Sequence, residues 1–322
     1  SKDWPLGDAT ASPKPADEFL IAVPGKGKDV AVRDLVLASD PAHRISGAVY
    51  AKDVDGVALT GAVVKEFRWA GAYFELAKRV DVGHCRFENA SMEKDKFHSG
   101  QLRSRYLAHS EIHHCRFAST VGHGYGYKAS GHEKVRFHHN VVESSGEFAV
   151  ESAHENEYGF EIDHNYLNRC ISVPKPGQGD DPNRRKCEYS VWVHHNVLTD
   201  SYTIEGPRNH LRVSHNYVRI EKTGGRVYSV HGGENDGPVW IHQNVVENLD
   251  RAFVWKNRGK SADVFVYNNT VYAADAGNRA AAFVDAHHDD KNPVVNWVVR
   301  NNVFVAPPEQ PRKMVSDRAV PR

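Results

Sequence analysis

VWVHHNVL (191–198) and LRVSHNYV (211–218) decide the fold. In each, apolar residues alternate with polar or aromatic ones, a polar residue followed by Asn breaks the alternation, and apolar residues resume. The same phrase recurs as VDVGHCRF (80–87), SEIHHCRF (110–117), VRFHHNVV (135–142), FEIDHNYL (160–167), VWIHQNVV (239–246), VFVYNNTV (264–271) and WVVRNNVF (297–304). The closing residues are Cys85, Cys115, Asn140, Asn165, Asn196, Asn216, Asn244, Asn269 and Asn302, spaced 30, 25, 25, 31, 20, 28, 25 and 33 apart. A wandering period of this size keeps one structural rung and lets the connecting loop vary, as a solenoid does.

The period within a rung is two and the apolar residues are largely β-branched or aromatic, so each rung is a strand with one face inward. Stacked coils bring equivalent residues to about 4.8 Å, which lets each Asn amide bond its counterparts above and below. Asn also tolerates left-handed dihedrals, so the Asn itself is expected to turn the corner. DVAVRDLVLAS (29–39) and DVDGVALTGAVV (53–64) fit the same register without the Asn. The expectation is an all-β, single-domain, right-handed parallel β-helix of roughly eleven coils over residues 20–306. Residues 1–19 form an N-terminal extension or cap, and residues 307–322 a polar tail.

Composition agrees with one elongated domain: 322 residues with 40% hydrophobic content supply a long, thin core. No run of eighteen apolar residues spans a membrane. Lys plus Arg (41) equals Asp plus Glu (41), which excludes a general polyanion sink such as a nucleic-acid binder and makes any attraction to an acidic ligand local. The chain opens SKDWPLGD, with no charged-then-apolar leader in the given sequence. Of four cysteines, Cys85 and Cys115 occupy the rung position that Asn takes later, and Cys170 and Cys187 flank the basic insertion SVPKPGQGDDPNRRK (172–186), whose base they are placed to staple. Twenty histidines suggest a metal protein, yet most lie in the repeated HHN phrase. They read as stacked structural imidazoles, with no metal ligands assigned.

Chemistry is sought on the strand that precedes each rung: YFELAKR (73–79), YGYKASG (125–131), FAVESAHE (148–155), ISVPKPG (171–177), YTIEGPRN (202–209), YSVHGGEN (228–235), AFVWKNRG (252–259) and AFVDAHHD (283–290). Aligned on their apolar residues, these place Glu75, Lys128, Glu151, Pro174 with Lys175, Glu205, His231, Lys256 and Asp285 in one column. His154, Arg208, Glu234 and Arg258 form a second. Ionisable columns are costly unless they face solvent or a ligand. The flanking residues are aromatic (Tyr73, Tyr125, Tyr127, Tyr202, Tyr228, Trp255), and sugar rings stack on aromatic faces. A groove so lined suits a linear polysaccharide; a fully salt-bridged solvent face is the bland alternative.

The segment YKASGHEKVRFHHNVVESSGEFAVESAHENEYGFEIDHNYL (127–167) resembles the parallel β-helix polysaccharide lyases of the alginate lyase and chondroitinase B type. The resemblance aligns Lys128 with the family's catalytic Lys, Asn140 with its ladder Asn and Gly146 with the Gly opening its next strand, while Glu151 stands where the family has Arg. It implies β-elimination at a uronate with Lys128 as base; for that chemistry the columns themselves offer His231 as the reserve base, Tyr125 or Tyr127 as proton donor, and Lys175, Arg208, Lys256 and Arg258 to hold carboxylates beside Tyr202, Trp255 and His154. The Asp-Pro-His motif of uronan epimerases is absent; DPAHR (40–44) and DPNRR (181–185) lie outside the column. Two other classes fit the same column: an inverting glycoside hydrolase using Glu151 and Glu205, about 10 Å apart if two coils separate them, and a non-catalytic carbohydrate-binding β-helix. No cofactor is assigned, Ca²⁺ being the candidate ion beside an acidic polysaccharide. The expected setting is a secreted or periplasmic monomer acting on that polysaccharide, without nucleic-acid or membrane partners.

Overall fold

A computed structural model describes residues 19–23, 25–26, 28–91, 100–120, 125–143, 146, 148–152, 157–173, 188–199, 202–206, 210–221, 225–230, 238–256, 261–274, 282–286, 291, 293–307 and 313–315. Three parallel sheets run the length of a right-handed β-helix: sheet A with twelve strands, sheets B and C with eleven each. Each coil contributes one strand to each sheet, as in Tyr158–Asp163 of sheet B and Tyr166–Leu167 of sheet C. The repeated phrase is therefore a sheet B strand, a two-residue corner and a sheet C strand. No helix long and apolar enough to cross a membrane is found among the described residues.

Alternation fixes the core. In sheet A the inward file runs Leu102, Tyr127, Val150, Ile171, Ile204, Tyr228, Val254 and Val284 through successive register partners. In sheet C, Phe87, Phe117, Val142, Leu167, Leu198, Val218, Val246 and Val271 do the same, all within 1% of full burial. Phe87 and Phe117 stack with centroids 4.9 Å apart and planes 6° apart. Burying such a side chain contributes about 1.5–3 kcal/mol, repeated at every rung.

The corner between sheets B and C carries the Asn ladder. The Asn196 side-chain oxygen accepts from the backbone N–H of Asn165 at 2.9 Å, and its amide donates to the Ile162 carbonyl at 2.9 Å and to the Asn216 side-chain oxygen at 3.0 Å. The same pattern links Asn216, Asn244, Asn269 and Asn302. Cys85 and Cys115 sit in this file with poorer bonds, the Cys85 N–H reaching the Cys115 Sγ at 3.4 Å. The left-handed residue is not the Asn, however, but the one before it: His84, His114, His139, His164, His195, His215, Gln243, Asn268 and Asn301 all have φ between 51° and 56°. The ladder Asn stays out of the left-handed region while its amide bonds along the stack, and the residue before it takes the turn.

At the C-terminal end, Lys313–Val315 pairs in parallel with Ala282–Ala286 of sheet A, so part of the expected polar tail joins the helix. Cys170 is buried against Tyr125 and Phe148; Cys187 lies outside the described residues, and with it the expected staple.

Candidate functional site

The outward file of sheet A is set by register and not by apolar alignment. It reads Tyr50, Tyr73, Arg103, Lys128, Glu151, Ser172, Glu205, Ser229, Trp255 and Asp285. Lys128, Glu151, Glu205 and Asp285 thus share one column, as the sequence suggests, and Glu151 and Glu205 are separated by the single rung of Ser172. Glu75 does not belong to this file: it pairs with Lys52 and Arg105 two residues further along. Ser172 replaces the Pro174–Lys175 pair, Ser229 replaces His231 and Trp255 replaces Lys256. Alignment on apolar residues therefore slips by one or two positions against the hydrogen-bonded register.

Arg103 was missed because the strand Gly100–Arg105 has no aromatic residue to mark it. A signal existed: the segments at 73–79 and 125–131 are two repeats apart, so one rung had to lie between them.

Lys128 is 6% exposed, and its Nζ lies 2.5 Å from Oε2 of Glu151 and 4.5 Å above the ring of Tyr125. One rung back, the Arg103 guanidinium sits 4.7 Å over Trp69 and 5.3 Å over Tyr73. Burial lowers the pKa of Arg103 and pushes that of Tyr73 up to about 12. The aromatic residues flanking these cations form two apolar patches outside the coil, Phe19, Tyr50, Trp69, Ala70 and Tyr73 in one and Tyr125, Phe148 and Cys170 in the other. Trp255 is half-buried, with the Arg226 guanidinium 3.6 Å from its ring centroid.

Several assigned roles change with this geometry. Tyr127 is adjacent in sequence to Lys128 and therefore points the opposite way, into the core. It is fully buried, with its hydroxyl 2.7 Å from Ser104 Oγ and 3.3 Å from His132 Nε2, and burial raises its pKa. It is not a proton donor to anything on the outer face. Tyr228 is likewise inward. Tyr73 and Tyr125 lie beneath the cations, 4% and 2% exposed, and offer no open stacking face. Lys256 is 1% exposed, in register with Val230 and Ala286 beside the file, and so does not present its ammonium to a groove. His231, Lys175, Arg208, Arg258, His154, Glu234, Arg184 and Arg185 lie outside the described residues, as does the side chain of Tyr202.

Among the described residues the file that remains is Arg103, Lys128, Glu151, Ser172, Glu205, Ser229, Trp255 and Asp285, with Lys128, Ser172 and Ser229 buried and the others partly open. Such a strip can bind a polyhydroxylated chain by hydrogen bonds and can move protons between carboxyl groups.

No protein-family model matches the sequence, and no curated protein sequence matches it significantly. Among solved structures, the fold is similar to a mutant tailspike protein of E. coli bacteriophage HK620 in complex with a pentasaccharide, with TM-score 0.60 and 10% identity over 87% of this chain and 60% of that one. It is also similar to DFA-IIIase from Arthrobacter chlorophenolicus A6 without its lid, with TM-score 0.56 and 13% identity over 91% of this chain and 72% of that one. The chain spans 60% of the length of the tailspike it matches. At these identities the likeness is one of fold, and it is the parallel β-helix, not the lyase chemistry suggested by the Lys128 segment, that these structures share with the chain.

Proposed function

We propose that the chain hydrolyses a polysaccharide laid along the outer face of sheet A, with Glu151 and Glu205 as its carboxyl pair. The observation that carries this reading is their register: same face, one rung between, Ser172 in the gap. Two rung spacings of about 4.8 Å put the backbones roughly 10 Å apart, near the upper end of the about 6.5–9.5 Å carboxyl separation that leaves room for water in inverting hydrolysis. In this reading Glu151, against the Lys128 ammonium, is the carboxylate that activates water, and Glu205 is the acid for the leaving oxygen. Support comes also from the similarity to a tailspike solved with a pentasaccharide. A glycan of this kind fits a secreted or periplasmic setting.

A second reading, β-elimination at a uronate, is favoured by Arg103 and Lys128 on consecutive rungs, two cations placed to hold a carboxylate. Against Lys128 as the base stands its contact with Glu151: an ammonium in an ion pair has no lone pair to accept a proton.

A panel of neutral and acidic polysaccharides separates the two. Hydrolysis releases reducing ends without the ultraviolet absorbance of an unsaturated uronate, and Glu151→Gln and Glu205→Gln each lower kcat by about 10²–10⁴. Product that absorbs in the ultraviolet overturns hydrolysis in favour of elimination. Full activity in both glutamine variants removes the pair from catalysis.

A further inference from the structure

The corner opposite the outer face of sheet A carries two adjacent files of histidine that the proposed chemistry does not use. We propose that His84, His113 and His114 form a binding site for a borderline divalent transition-metal ion of the Zn²⁺ class.

Three observations build it. The first is bite. His113 Nδ1 and His114 Nδ1 share a hydrogen bond of 3.0 Å, so a metal ion bound by both would take the place of the proton between them. Two nitrogens each about 2.0–2.1 Å from one Zn²⁺ are themselves about 2.9–3.4 Å apart for angles from 90° to tetrahedral, so the pair already has the spacing of two ligands on one ion. The second is orientation. His113 Nε2 is 2.9 Å from Oδ1 of Asp81. A proton held on Nε2 by that carboxylate leaves the Nδ1 lone pair for a metal, the carboxylate–histidine arrangement that orients imidazole ligands. The third is the extra ligand. His84, one rung back, has its ring 4.9 Å from that of His114 and 5.5 Å from that of His113, and one ligand atom from each residue falls within 4.8 Å of the others. Among the described residues no other set of three imidazoles meets that limit.

Local sequence makes room for the set. Gly83 is the register partner of His113, where later coils carry His138, Asp163 and His194. A Cβ on Gly83 would come within 2.6 Å of the His113 ring. The glycine therefore lets that ring lean toward His84. The pairs His138 with His139 and His194 with His195 repeat the short Nδ1 separation at 2.9 and 2.8 Å, but glycine does not recur beneath them. The other candidate cluster, Glu161, Asp163 and His194, is committed elsewhere: Arg136 grips Asp163 with two bonds of 2.8 and 2.6 Å.

Neutral imidazoles suit Zn²⁺, Cu²⁺ or Ni²⁺ and not Ca²⁺ or Mg²⁺, which prefer oxygen. The test is titration calorimetry of tag-free protein with Zn²⁺ in a non-chelating buffer, with Co²⁺ absorption as a second readout of coordination. Expected is one saturable site per chain, weakened at least tenfold by His84→Asn and His114→Asn and about 10–100-fold by Asp81→Asn. His215→Asn, at the far end of the same stack, leaves it unchanged. Asn suits the left-handed backbone at these positions, as Asn268 and Asn301 show at equivalent corners. Asp81 is half exposed, so its variant folds independently of the ladder. No saturable Zn²⁺ binding overturns the proposal, and so does equal weakening by His215→Asn and His84→Asn, which would make the stack a diffuse chelator without a site.

Discussion

Lys128 Nζ and Glu151 Oε2 meet at 2.5 Å across adjacent rungs, with only 7% and 12% of their side chains exposed. A pair this sheltered is costly to break from one side, because the surviving charge keeps its desolvation without its partner. Glu151→Gln is expected to destabilise by about 3 kcal/mol or more, while Lys128→Met combined with Glu151→Leu recovers most of that loss. Thermal unfolding of the single and double variants checks it; a neutral Glu151→Gln would mean the pair is solvated in solution.

Tyr127→Phe separates core from catalysis. The Ser104 hydroxyl remains 2.8 Å from His132 Nε2 when the phenol oxygen is gone. The change is expected to cost about 1 kcal/mol and to leave kcat on the true substrate unaltered. A large fall in kcat with unchanged stability would return Tyr127 to the active site.

The ladder gives two opposite expectations. Asn196→Leu leaves the Asn165 N–H and the Ile162 carbonyl without their partners, at about 1–3 kcal/mol for each buried group. Cys115→Asn instead replaces long sulfur contacts, 3.4 Å from the Cys85 N–H and 3.5 Å to the Val82 carbonyl, and is expected to stabilise by about 1 kcal/mol. Denaturant midpoints of both variants test the asymmetry.

Acid should loosen the histidine corner. His114, His138, His195 and His242 have pKa values below the ordinary 6.5, each chiefly through desolvation. As pH falls through 6.5 the unfolded chain binds these protons before the folded one does, so stability present above 6.5 is lost below it. Asp163, also lowered, adds its loss only beneath 3.8. The melting temperature is expected to fall between about pH 7.5 and 5.5, and His138→Asn with His195→Asn to shrink the fall. A flat profile in the wild type would contradict the lowered values.

The sequence by itself determined the solenoid, its sheet B and C rungs and the Asn file, because a period of two and a side chain that bonds its own copies are local properties repeated at each coil. VWVHHNVL needs no distant residue to be read as strand, corner and strand. Which residue takes the left-handed turn was not legible, since both His195 and Asn196 are compatible with it and only the ladder bonds assign it to His195. The column of sheet A was half legible: Lys128, Glu151, Glu205 and Asp285 align, whereas Arg103, Ser172, Ser229 and Trp255 emerge only from the hydrogen-bonded register. Loops of unequal length enter and leave those strands, so sequence position does not fix phase. Tertiary structure alone decided that Tyr127 bonds Ser104 and lies beside His132, that Lys128 is tied to Glu151, and that Gly83 lets His113 lean toward His84. Each depends on what the next coil places about 4.8 Å away, and that neighbour lies some twenty to thirty residues along the chain.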